Sequence, residues 1–182
     1  MKNNKDNRGL TLIELIAGIA IMGIITAALS VGVFTITNQR VNNACHSIKE
    51  AIQLGQTYVK SKGACKMSFE ENSDGEVEVV IYTSDSEITL YSAAGNVGAN
   101  TNRRVIATLN KKVKVTIGYK TESDFAITGT NVADITFNRS MGGIETSCRS
   151  DGNDDVPISI TVTNGSKTKT IKLATYTGVI TY

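Results

Sequence analysis

Residues 10–39 read LTLIELIAGIAIMGIITAALSVGVFTITNQ, and from Leu15 to Gln39 not one side chain is charged. A bilayer core of roughly 30 Å needs about 20 apolar residues in a helix. The run is therefore long enough to span. A short basic stretch precedes it. Residues 1–9 hold Lys2, Lys5 and Arg8 against Asp6, and the positive-inside rule leaves them in the cytoplasm. Everything beyond about residue 40 then lies outside.

Three readings compete for the run. A cleaved secretory signal has an apolar core of about 7–15 residues followed by a small-residue cleavage site. Here Ala27 and Ala28 offer small residues, but apolar residues continue beyond them. A plain signal anchor is the second reading. The third starts from Glu14, which neither of the others explains. A carboxylate near a membrane helix is expensive, and an ionisable residue there marks a functional site that needs a partner.

The segment Arg8-Gly9-Leu10-Thr11-Leu12-Ile13-Glu14-Leu15 resembles the processing motif of type IV prepilins and pseudopilins. The resemblance implies that a prepilin peptidase cuts after Gly9 and that the new N-terminal residue, Leu10, is N-methylated. Leu stands where the family usually has Phe. Glu14 falls on the fifth mature position, where the family carries its Glu. In the family that Glu pairs with the N-terminal amine of a neighbouring subunit during assembly. A buried amine and carboxylate attract strongly and are each costly alone, so Glu14 would set register in a filament. The alternative is a Glu snorkelling to water at the headgroups.

Past Arg40 the apolar residues fall at Val41, Ala44, Cys45, Ile48, Ile52, Gly55 and Val59. Steps of three and four make one amphipathic stripe. Asn42, Asn43, His46, Lys49, Glu50, Gln53 and Lys60 take the other face. With no Pro in 10–62 and Gly63 as a stop, the sequence predicts one helix of about 53 residues, roughly 80 Å long. Its first half holds Gly23 with Ala27 and Ala28 with Gly32, spacings that let apolar helices approach closely. Ordinary membrane-helix composition explains them equally. Many major pilins kink at a Pro where this chain has Val31, which the resemblance reads as a minor or pseudopilin.

The rest alternates as strands do. Glu76–Thr83, Glu87–Tyr91, Val105–Leu109, Val113–Tyr119, Ala133–Asn138, Val156–Thr163 and Thr168–Ala174 are expected strands, with Thr177–Tyr182 extending the last. Asn164-Gly165 between the sixth and seventh is a hairpin signal. The fold class is α+β, a long helix packed on an antiparallel sheet. The expected organisation is leader 1–9, transmembrane and assembly half 10–39, amphipathic half 40–62 and β-rich head 63–182. The closing elements, with Thr177-Gly178-Val179, are similar to H-type (GspH/FimT-like) minor pseudopilins, many of which have Arg where this chain has Val179.

The net charge of the 182 residues is +2. That excludes a strongly basic nucleic-acid protein and an acidic tail protein. Residues 63–182 carry 12 basic and 14 acidic side chains, and loss of the leader would leave a neutral chain. Cys45, Cys65 and Cys148 fall outside the membrane, where disulfides persist. Helix geometry disfavours Cys45–Cys65, because linked Cα atoms lie within about 7 Å. Cys65–Cys148 is the first expectation and Cys45–Cys148 the second.

Asp151-Gly152-Asn153-Asp154-Asp155 invites a calcium reading. Its sixth and twelfth positions are Val156 and Val162, where the loop needs Gly and Glu. Arg103, Arg104, Lys111, Lys112 and Lys114 would cluster across one hairpin, a phosphate-binding patch or a solvated edge. The single His46 sits on the polar helix face, and no phosphate loop, metal-ligand pair or nucleophile elbow is visible. No catalytic residue, metal or cofactor is expected.

The expected role is a structural subunit of a type IV pilus or a type II secretion-like filament. Its partners would be other pilin subunits, prepilin peptidase and the inner-membrane assembly machinery. It would sit first in the inner membrane with its head outside, then in the pilus or pseudopilus. The alternatives are a tip pilin whose head binds DNA or a surface ligand, and a plain signal-anchored β domain.

Overall fold

A computed structural model describes residues 11–84, 101–174 and 180–181. The expected strand Glu87–Tyr91, the cleavage site at Gly9 and Leu10, and Thr177-Gly178-Val179 lie outside them. One helix, α1 (Leu12–Lys62), is followed by strands that pair antiparallel among the described residues. This is the α+β class expected. The chain divides into two compact units, Met1–Thr37 and Asn38–Tyr182.

In the first unit, the described side chains of α1 from Leu12 to Ile36 are exposed. Leu12, Ile13, Leu15, Ile16, Ile19, Ile21, Met22, Ile24, Ile25 and Leu29 all face outward. Thr26 and Ser30 satisfy their hydroxyls within the helix, on the carbonyls of Met22 (2.7 Å) and Thr26 (2.8 Å).

In the second unit, the stripe read from the sequence is the buried face of α1. Val41, Ala44, Cys45, Ile48, Ile52 and Val59 join the core with Ala51. The helix ends at Gly63, whose φ of 114° is the left-handed conformation that closes helices. Two sheets complete the core. The first runs β3 (Asn102–Thr108), β2 (Val77–Ser84), β1 (Ala64–Glu71), β6 (Ala133–Phe137), β7 (Ile144–Arg149), β8 (Asp154–Asp155). The second runs β11 (Ile180–Thr181), β10 (Thr168–Leu173), β9 (Pro157–Thr163), β4 (Lys114–Tyr119), β5 (Phe125–Ala126). Alternate residues of both point into one core: Cys65, Met67, Phe69, Ala133, Ile135 and Phe137 from the first, Val115, Ile117, Ile160, Val162 and Ile171 from the second.

Asn164-Gly165 turns the β9–β10 hairpin, with Thr163 opposite Thr168 and Gly165 at φ 88°. The other expected hairpin is corrected. Asn110 does make a tight turn, its carbonyl accepting from Val113 N (2.7 Å). The strands it joins belong to different sheets, β3 beside β2 and β4 beside β9. Long-range pairing decides strand partners, and a local turn does not.

Candidate functional site

Thr11 sits just before the helix and Glu14 three residues later, the spacing of a capping box. The first N–H groups of a helix have no partner inside it. Here the Glu14 carboxylate accepts from Thr11 N (2.9 Å) and from Thr11 Oγ1 (2.8 Å), and Thr11 Oγ1 accepts from Glu14 N (3.4 Å). Glu14 therefore holds the mouth of the helix closed within a single chain. The T-x-x-E signature was present in the sequence, hidden behind the reading of Glu14 as an assembly residue.

Beyond this cap the helix carries a window of mean hydropathy 2.4 and is long and apolar enough to cross a membrane. Gly23, Ala27, Ala28 and Gly32 are exposed. A Cβ added at Gly23 or Gly32 would meet nothing within 4 Å. A charge-free apolar surface of this extent on a monomer marks a membrane or protein contact.

Residues 4–30 match the family model of the prokaryotic N-terminal methylation motif. The chain carries the type IV prepilin and pseudopilin signature. No curated protein and no solved structure matches it. The signature marks a family of structural subunits that a prepilin peptidase processes and that associate with other pilins. With one apolar N-terminal helix, it fits a chain anchored in the inner membrane.

In the head, the structure brings neither expected cysteine pair together. Cys45, Cys65 and Cys148 are all thiols. Cys65 points into the core with Met67 and Phe69. Cys148 pairs with Asp134, which pairs with Ser68, so Cys148 lies on the opposite face of the sheet. It is also two strands away, at least about 10 Å, beyond the roughly 7 Å a disulfide spans. Cys45 belongs to the same core cluster as Cys65, so a Cys45–Cys148 bond would have to pass through the sheet. Burial pushes the Cys65 thiol up to about 12 and also raises Cys45, where Lys169 and Lys167 oppose it.

The basic cluster is dispersed. Arg103 donates to Glu78 (2.7 Å), Glu70 (3.1 Å) and the Tyr82 hydroxyl (3.2 Å). Its guanidinium is held further above its usual range, chiefly by Glu78. Arg104 reaches the Tyr58 hydroxyl at 3.5 Å. Lys114 is on β4, in the other sheet.

The acidic loop is spoken for as well. Asp151 pairs with Arg149. Asp155 accepts from Thr121 N (2.8 Å), Glu122 N (3.0 Å) and Val156 N (2.7 Å).

Sequence reasoning missed Arg149. It is buried, and its guanidinium lies 4.5 Å from the Phe125 ring centre and 5.1 Å from that of Tyr119. A cation between two ring faces is held by their quadrupoles, and no spacing rule reports it.

Proposed function

We propose that this chain is a structural subunit, of the minor or pseudopilin kind, of a type IV pilus or a type II secretion-like filament. In this reading prepilin peptidase cuts after Gly9 and Leu10 is N-methylated. The head faces away from the cytoplasm, and residues 10–36 leave the bilayer for a filament core. Glu14 then sets register by meeting the Leu10 amine of a neighbour. The observation that carries the reading is the methylation motif over residues 4–30 on a helix whose described large apolar side chains from Leu12 to Ile36 are exposed. The small residues from Gly23 to Gly32 would let neighbouring helices come close. Val31 in place of Pro, and Thr177-Gly178-Val179 near the C-terminus, favour a minor, H-type subunit.

The capping box is compatible with that role. Thr11 N and Oγ1 both bond Glu14 Oε2, and a carboxylate has a second acceptor oxygen, so Oε1 can take a neighbour's amine with the cap kept.

Co-expression with a prepilin peptidase and N-terminal mass analysis tests the reading. A methylated chain starting at Leu10 is expected, and an intact Met1 chain overturns it. Glu14→Ala should leave cleavage intact while reducing incorporation into filaments by about tenfold or more, the loss of a charged pair away from bulk water. Equal incorporation would remove Glu14 from the register role.

A further inference from the structure

The outer face of the first sheet, turned away from the core, holds a buried ion pair. Lys66 Nζ lies 2.6 Å from Asp134 Oδ2, and both side chains are 2% exposed. They sit on neighbouring strands, on one face, one step apart in register: Lys66 faces Thr136 and Ser68 faces Asp134. Their surroundings mix apolar and polar groups. The Tyr82 ring centre is 5.2 Å from Nζ, and Ala64, Val80 and Tyr82 form a buried cluster on that face. Two atoms beside the pair have no hydrogen-bond partner among the described residues, Asp134 Oδ1 and Ser68 Oγ. A cavity of about 420 Å³ borders the pair, lined also by Glu70, Glu71 and Tyr82.

We propose that Lys66 and Asp134 condense into an intramolecular amide that joins β1 to β6. The first step is passage of a proton from Nζ to Oδ2 along their 2.6 Å contact. The neutral amine is then a nucleophile in contact with a neutral acid. The Nζ lone pair adds to Cγ, and the carbonyl electrons move onto Oδ1. Ser68 stands directly across from Asp134; its hydroxyl does not bond Oδ1 in this state, and it has to turn to donate to the charge that develops there. A second proton passes from Nζ to Oδ2, the Cγ–Oδ2 bond breaks, and one water leaves by the cavity. The products are an amide and water. No oxidant or cofactor enters. Holding the two groups in contact supplies the effective concentration that such a condensation lacks in solution.

The test is the mass of the full chain, expressed without a prepilin peptidase, purified folded in detergent and then denatured. It is expected to be one water lighter than the sequence. Proteolysis should yield a branched peptide joining the Lys66 and Asp134 segments and no cleavage after Lys66. Lys66→Met and Asp134→Ala should each restore the full mass. Ser68→Ala should form the same species about tenfold more slowly after refolding, as expected on losing one donor to the oxyanion. A folded wild-type chain at full mass overturns the proposal. So does a water-deficient chain without the branched peptide, the signature of succinimide at an Asp-Gly pair.

Discussion

At Gly55 the helix comes so close to β6 that a Cβ would sit 2.6 Å from the Phe137 ring. Phe137 is itself 2% exposed, so the ring has no room to retreat. Gly55→Ala gains about 1 kcal/mol in helix propensity. Overpacking a closed core costs about 1–3 kcal/mol, and a 2.6 Å contact belongs at the upper end. Net destabilisation of about 1–2 kcal/mol is expected by denaturant unfolding, and a more stable variant would show that the ring yields. The thiols give a second check at this scale. Cys148 is partly exposed, whereas Cys45 and Cys65 are buried with raised pKa values. Alkylation of the native chain near pH 8 should mark Cys148 first, and rapid labelling of Cys65 would contradict the core described. The apolar stripe of α1 was legible because seven residues repeated its period. Lys66, Asp134 and Arg149 were not legible, because a charge in sequence reads as surface, and the groups that cover these, each other for Lys66 and Asp134 and the Tyr119 and Phe125 rings for Arg149, lie far along the chain.

Among elements, alternation exposed Pro157–Thr163, which has one polar face, and a run of β-formers exposed Val77–Ser84 although six of its eight residues are buried. Alternation failed for β1, which does alternate as Cys65, Met67, Phe69 against Lys66, Ser68, Glu70. Six of its eight residues are buried, because both faces are covered. A polar face inside the protein looks like a loop until its partners are known. The short strands β5 and β8 exist through pairing with β4 and β7, and two residues carry no period to read. What ties the turn after β4 to the start of β9 is Asp155. Bonds from Thr121 N first, and then from Glu122 and Val156, hold its carboxyl down at about 2, against an ordinary 3.8. A depressed folded pKa stabilises above the unfolded value, and the contribution is lost as pH falls through the folded one. The stability gap between wild type and Asp155→Asn should therefore be full above pH 4 and close between about pH 4 and 2. Chemical denaturation across that range measures it, and a gap independent of pH would separate Asp155 from the turn.

For the whole molecule, the decisive pattern is where the large apolar side chains stand exposed. Among the described residues eleven do so between Leu12 and Ile36, against Val105, Met141 and Ile158 in the head. The head builds its core from the stripe beginning at Val41 and from both sheets. Among the described residues, every side chain of that core lies at or beyond Val41. A chain beginning at Asn38 should be soluble without detergent and unfold in one cooperative transition, because the apolar surface that needs a bilayer or a neighbour has been removed while the core has not. The full chain should require detergent. Sedimentation and thermal unfolding distinguish the outcomes. A truncated chain that aggregates would mean that the head's own surface, around Met141 and Ile158, carries an interface of its own. A soluble one leaves the first 37 residues as the part of the chain that needs company, which is what a filament subunit requires of its helix.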